Sequence, residues 1–477
     1  MNACHRGRTA SVAVLSLLLG ACAAPTEPGV DTDDPDATLE PGERTGVDLP
    51  SPVAQAHGLE TSLPATVQVP STALSDAPIA FGHGCEQPKW STDLPVVTSD
   101  GAVFGYTIAG TSDGGFVVSG TFHGSMSVGG EVFESHGPAA DIFVLAFDSD
   151  TALRWGRVIG GADPDFVYRV RVDHQDNIVL AGRAPLSSPA GLWAPPAEPQ
   201  SFVMKLDGTG ATLWSRELGP SNDGLSLATG PDNEIVVAGI ASEEVELLGE
   251  KVTGPYVLAL DAAGQGRFLV ERLASDLAID AEGDLFVAAH GLAKLDSKGE
   301  LIWERLFGTD LRETLVRVTS TGAAVVAAKL VGTADLGGGS LTTKGTRDLV
   351  VGLLNAEGEH VWSQRFGGIG NQWPTGLALD RHDRVLLTGG TSGWLDLGGG
   401  AIQGAAEKMF FAKLDEGGAH VCSAALDPGI TATMAADQLA ADSLGRPLLT
   451  GAFFGTFLID AAKSYSSEHT AGFVMRY

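Results

Sequence analysis

Short apolar runs recur along the chain, each set behind a turn rich in Asp, Gly and Asn. They read Gly115-Phe-Val-Val-Ser-Gly120, Asn177-Ile-Val-Leu-Ala-Gly182, Glu234-Ile-Val-Val-Ala-Gly239 and Asp284-Leu-Phe-Val-Ala-Ala289. Ala323-Ala-Val-Val-Ala-Ala328, Arg384-Val-Leu-Leu-Thr-Gly389 and Arg446-Pro-Leu-Leu-Thr-Gly451 complete the series. Runs of this length and composition, bounded by such turns, predict strands. Each has a strand signal before its turn, as in Val170-Arg-Val172 or Leu277-Ala-Ile279. Another follows and ends in a Leu-Asp turn, as in Phe202-Val-Met-Lys-Leu-Asp207 and Phe410-Phe-Ala-Lys-Leu-Asp415. The last carries an aromatic residue, as in Leu213-Trp-Ser-Arg-Glu-Leu218. The unit is thus four strands, a to d, and no convincing helical periodicity interrupts the series.

A second regularity runs through the same units. An Asp, or its stand-in, precedes a Trp, or its stand-in, at fixed spacing: Asp148/Trp155, Asp207/Trp214, Asp261/Phe268, Asp296/Trp303, Asn355/Trp362 and Asp415/Cys422. Asp and Gly suit a tight turn between strands c and d, and the ring suits packing between neighbouring units. The last unit stops at Tyr477, before its Asp and Trp, while Trp90 lies in the matching context at the other end. These features predict an all-β, seven-bladed β-propeller over residues 81–477. An N-terminal strand around Trp90 completes its last blade, which leaves no open edge.

Unit four is the shortest, running from Ala289 through His290 to Lys294-Leu-Asp296. The other units carry inserts between strands b and c, several with a Gly-Gly element such as Leu336-Gly-Gly-Gly339 and Leu397-Gly-Gly-Gly400. Such inserts are expected to form rim hairpins that carry recognition. Within segments 121–140, 184–200 and 391–407, the candidate exposed aromatics for partner binding are Phe122, Phe133, Trp193 and Trp394.

Ahead of the repeats, Arg6 and Arg8 precede an apolar stretch, Val12 to Leu19, too short to span a membrane. It ends Leu19-Gly-Ala-Cys22, which resembles a bacterial lipobox. That resemblance implies a signal peptide over 1–21, diacylation of Cys22 and a lipid anchor in the membrane. Ala23 rather than Asp after the Cys favours the outer membrane or cell surface of a double-membrane bacterium. Residues 22–80 are rich in Pro and acidic residues, with Arg44 as the single Arg, and are expected to be a disordered tether. The Asp31-Thr-Asp-Asp-Pro-Asp36 cluster lacks the Gly and distal Glu of a calcium loop.

The formal charge of −29 argues against nucleic acid as partner and against direct contact with anionic lipid. With Cys22 lipidated and the leader removed, Cys85 and Cys422 remain and can pair in an oxidising compartment. A disulfide between them would staple the N-terminal segment near the seam of the ring, provided their Cα atoms approach closely enough.

Catalytic signatures are sparse, and no cofactor or metal site is expected. Gly110-Thr-Ser-Asp-Gly114 matches the hydrolase elbow in letters but falls between strands a and b rather than between a strand and a helix. Asp173, Asp280, Asp380 and Asp442, at the ends of strands a, are candidate acid/base groups, yet they recur at equivalent turns as structural Asp residues do. Two readings stand. In one the propeller is a monomeric platform for a protein or glycan partner. In the other it is a hydrolase or lyase acting on an extracellular polysaccharide or peptide polymer, which would bring two carboxylates together in a cleft.

The Leu-Asp-x-x-Gly-x-x-x-Trp pattern, with Arg305-Leu-Phe-Gly308 after it and the Leu-Gly-Gly-Gly hairpins, resembles the bacterial β-propeller repeat known as SBBP. The likeness covers residues 104–477 and the closing strand. It implies an exported, often lipidated propeller and carries no catalytic residue. The quinoprotein dehydrogenase repeat is one residue longer, and its cofactor residues have no match here.

Overall fold

A computed structural model describes residues 103–184, 200–220, 224–426, 433–460 and 463–476. The chain forms a seven-bladed β-propeller. Blade one is Val103–Gly110, Phe116–Phe122, Asp141–Phe147 and Leu153–Ile159; blade two is Phe166–Val172, Ile178–Ala184, Gln200–Leu206 and Thr212–Pro220. Blade three is Ser226–Thr229, Ile235–Leu247, Glu250–Leu260 and Gly266–Val270; blade four is Asp276–Ile279, Leu285–Ala288, Gly291–Leu295 and Leu301–Leu306. Blade five is Leu311–Val318, Ala324–Leu330, Asp348–Leu354 and His360–Phe366; blade six is Gly370–Leu379, Val385–Asp396, Ala401–Leu414 and His420–Leu426. Blade seven shows Thr433–Ala441, Pro447–Asp460 and Lys463–Arg476 among the described residues. Among the described residues every pairing within a blade is antiparallel, so blades one to six are each a meander from strand a to strand d.

Strands a pack against one another in sequence around the axis, and Val103–Gly110 of blade one meets Thr433–Ala441 and Pro447–Asp460 of blade seven. Leu448 of blade seven is buried in one core cluster with Val103, Ile108 and Phe116 of blade one. The ring is closed by this contact. The expected closing strand around Trp90, the leader and the tether lie outside the described residues, as do Cys22 and Cys85.

The Asp, Gly and Trp of the repeat each have a visible task. In blade two Asp207 Oδ1 accepts the backbone N–H groups of Thr209 and Ala211 at 2.9 and 3.0 Å, and so closes the c–d turn. Asp148, Asp261, Asp296, Asn355 and Asp415 do the same in their own turns. Gly210 in that turn has φ +85, and a Cβ there would stand 2.9 Å from the Trp155 ring of blade one. Trp155 Nε1 donates to the Gly208 carbonyl at 2.9 Å. The clasp repeats from Trp214 to Ala262, Trp303 to Ala356 and Trp362 to Glu416. Blade three has Phe268 at this position; its ring lies against Gly299.

A different rule operates at the a–b turns. Asp173, Asp280 and Asp380 are buried and paired with Lys205, Lys294 and Lys413 of strand c at 2.7, 2.8 and 2.7 Å. In blade seven the equivalents are Asp442 and Arg476, which interact electrostatically. Blades one, three and five have Thr111, Gly230 and Thr319 at the turn, and Ala146, Ala259 and Leu353 on strand c. Acid and base thus appear together or not at all, as burial of a charge requires.

Candidate functional site

Four parts of the ring could bind or react: the rim hairpins, the outer strands, the carboxylates of the a–b turns and the axial channel. The expected rim hairpins are present in blades one, three, five, six and seven. In blade one Ser125–Val128 pairs with Glu131–Glu134, and in blade five Thr333–Asp335 pairs with Ser340–Thr342. In blades three, six and seven strands b and c are themselves prolonged.

The aromatic candidates divide. Phe122 is fully buried, the last residue of strand b, in edge-to-face contact with Phe143. It is a core residue, which corrects the expectation of an exposed loop aromatic: strand b continues two residues beyond the expected boundary at Gly120. Phe133 is half-buried, because the blade-one hairpin folds back and sets its ring over Gly156 of strand d. It too serves packing rather than display. Trp394 is 37 % exposed and lies over Gly368, next to Ile369, which is 84 % exposed. The Trp394 N–H donates to the Ile369 carbonyl at 3.0 Å. Trp193, with most of segment 184–200, lies outside the described residues.

Blade four was singled out in the sequence only for being short. Its lack of an insert has a consequence at the periphery. In blades one and five the hairpin lies against strand d, and both strands d are mostly half-buried. In blade four Leu301 and Leu306 are exposed by 53 and 77 %, where Leu153 and Val158 of blade one are half-buried; Ile302 is exposed by 50 %, as Val361 is at the same place in blade five. They stand on an outer strand that, among the described residues, pairs with Gly291–Leu295 alone, so its far edge has no strand partner there.

The carboxylates at the a–b turns are structural. Burial alone would raise the Asp173 carboxyl, but Lys205 and the Asn177 side chain hold it below the usual range. Asp380 is held down likewise by Lys413 and the backbone N–H groups of His382 and Arg384. Each of these acids is held within its own blade. In the Gly110–Gly114 turn Ser112 Oγ donates to Asp176 Oδ2 of blade two at 2.5 Å, and Ser320 repeats this with Asp383. The seryl oxygen there is a contact between blades.

One pair of carboxylates does converge. Asp141, which opens strand c of blade one, and Asp165, just before strand a of blade two, both abut the space a Cβ on Gly160 would fill. Both are fully buried, and Oδ1 of each has no hydrogen-bond partner. Burial pushes the Asp165 carboxyl up to about 7; the Gly161 N–H opposes this, and Asp141 and Asp163 reinforce it. Asp348 and Gln372 stand at the corresponding junction of blades five and six, both abutting the Cβ space of Gly367. With no exposed face for a substrate, the Asp141–Asp165 pair joins blades. Among the described residues no group of His, Cys, Asp and Glu is arranged to hold a metal ion.

The axial channel holds residues that the sequence search passed over. Two positions before the a–b turn, five blades carry Ala109, Ala228, Ala278, Ala378 and Ala440, whereas blades two and five carry Arg171 and Arg317. Arg169 precedes Arg171 on the same face of strand a. Nη1 of Arg169, Arg171 and Arg317 donates to the Tyr168, Val170 and Val316 carbonyls at 2.8, 2.9 and 2.5 Å. Asp276 of blade four accepts from Arg317 Nη1 at 2.7 Å and from the Val316 N–H at 3.1 Å. Burial would raise Asp276, but Arg317, Arg171 and Arg169 together hold it below the ordinary carboxylate value.

Comparison with known proteins assigns the chain to no family. No family model and no curated protein matches the chain. Solved structures that resemble it include BamB from Moraxella catarrhalis, at 13% identity over 80% of this chain and 100% of that one, TM-score 0.40. The WD40 domain of Neurospora crassa Pan2 aligns at 10% identity over 82% of this chain and 97% of its own, TM-score 0.42. A glucose dehydrogenase aligns at 12% identity over 80% and 99%, TM-score 0.35.

Proposed function

We propose that this protein is a lipid-anchored envelope protein whose propeller serves as a binding platform for a protein partner. The anchor rests on Leu19-Gly-Ala-Cys22, with Cys22 as the lipidated residue and 22–80 as the tether that holds the ring off the outer membrane. The observation that carries the platform reading is the outer strand of blade four. Leu301, Ile302 and Leu306 are exposed there on a strand whose far edge has no strand partner among the described residues, flanked by Glu300, Glu304 and Arg305. An exposed edge bearing apolar side chains is where an extended segment of another protein adds a strand. Trp394 and Ile369 supply a second apolar contact on the blade-six hairpin. A glycan would call for aromatic platforms, and of the four aromatic candidates Trp394 is the one exposed among the described residues. The polymer-degrading reading loses its candidate groups, since the four turn Asp residues are tied to bases of their own blades.

The experiment is affinity capture from the native envelope with the 81–477 fragment, wild type against Ile302→Glu/Leu306→Glu. Loss of one specific protein with the doubly substituted ring, at unchanged melting temperature, is the expected result. Equal capture by both would dismiss blade four. Cys22→Ser tests the anchor separately: the protein should leave the membrane fraction or retain its leader.

A further inference from the structure

We propose that the axial channel is an oxyanion site, with Arg169, Arg171 and Arg317 as its ligands for a phosphate or sulfate group, free or carried on a larger molecule. The inference goes beyond the platform reading and does not depend on it. Blades two and five are not neighbours: two blades separate them on one side and three on the other. Yet Arg317 acts electrostatically on both Arg169 and Arg171. Blades that are not neighbours approach one another only at the axis, so these side chains lie toward it. The equivalent position of the other five blades is alanine, and Ala109, Ala228, Ala278 and Ala378 are buried.

The charges there do not balance. The charged groups acting on Arg171 are Arg317, Asp276 and Arg169, three guanidinium groups in all against one carboxylate. In a chain of formal charge −29 this is a local reversal of sign. Asp276 is already engaged by Arg317 and by the Val316 N–H. Arg171 Nη2 is buried and has no hydrogen-bond partner. Burial, with repulsion from Arg317 and Arg169 against attraction from Asp276, brings Arg171 down to about 9. The group still carries its proton at neutral pH, so it remains a half-buried cation short of counter-charge. A guanidinium presents its N–H groups in a planar fork that matches two oxygens of a phosphate or sulfate. A dianion would neutralise the excess of two positive charges and give Arg171 Nη2 its missing acceptor.

Calorimetric titration of the 81–477 ring with inorganic phosphate and with sulfate, at constant ionic strength in chloride, tests this. One site per ring is expected, with a rise in melting temperature. Arg171→Ala should weaken binding at least tenfold, and Asp276→Asn, which removes the competing carboxylate, should tighten it. Arg154→Ala, on the outer strand of blade one, should change nothing. A phosphomonoester titrated in parallel separates the sources: binding of both means the channel mouth admits a ligand-borne group, and binding of inorganic phosphate alone means a closed site for the free ion. If the wild-type ring takes up neither anion, or if Arg171→Ala binds as the wild type does, the channel is not the site. Should Arg171→Ala fail to fold, the wild-type titration and the Asp276→Asn comparison still decide.

Discussion

Trp303 of blade four seats its indole against Gly358 of blade five and donates Nε1–H to the Ala356 carbonyl at 2.9 Å. The same clasp links most successive blades. It turns a sequence spacing into an inter-blade contact, because the glycine that permits the c–d turn also makes room for the neighbour's ring.

Gly358 has φ +75, and a Cβ there would lie 2.8 Å from the Trp303 ring. Gly358→Ala is expected to destabilise the ring by about 1–3 kcal/mol through backbone strain and overpacking together. Trp303→Phe keeps a ring in place, as Phe268 does in blade three, and loses chiefly the hydrogen bond, roughly 0.5–1.5 kcal/mol. Urea unfolding of the two variants measures the difference. If Trp303→Phe is the more damaging of the two, the close approach at Gly358 is not what the clasp depends on.

The pairing of Asp173 with Lys205 predicts a strongly non-additive response. Lys205→Leu alone leaves a buried carboxylate without its base and is expected to cost about 3–5 kcal/mol. Adding Asp173→Thr recreates the Thr319/Leu353 combination of blade five and should restore most of that loss. A double-mutant cycle measured by denaturant unfolding gives the coupling, and additive costs would refute the pairing rule.

Asp165 ties stability to pH. Its folded value, about 7, lies above that of the unfolded chain, about 4. Its contribution is therefore fully present below pH ~4 and is lost as pH rises through about 7. Asp165→Asn removes that loss. The variant should melt close to wild type at pH 4 and clearly above it at pH 8, by an amount of up to about 4 kcal/mol. Scanning calorimetry at the two pH values checks the sign, and a variant less stable at pH 8 would contradict it.

The architecture was legible because Asp, Gly and Trp each act within one turn or across one blade boundary, so their task survives as a fixed spacing. The turn role of Asp173, Asp280, Asp380 and Asp442 was legible for the same reason. Phe122 was misread because a strand's last inward residue looks the same in sequence as the first residue of a loop. The Asp141–Asp165 pair comes from two blades and has no spacing of its own to betray it. Arg171 and Arg317 were in plain view as departures from a column of alanines, but aligning the units for likeness hides what differs. Cys422 takes the Trp position of blade six and is disulfide-bonded. Its expected partner, Cys85, lies outside the described residues.

Completion of the seventh blade by a strand from the N-terminal segment is the central expectation for this ring. Thermal unfolding of two shortened chains measures that directly. The chain beginning at residue 79 keeps the segment around Trp90 and should melt as the full mature protein does. The chain beginning at residue 97 lacks it, leaves blade seven with an open edge, and should lose stability across the whole ring in one cooperative transition. Identical melting of the two would contradict closure by that strand.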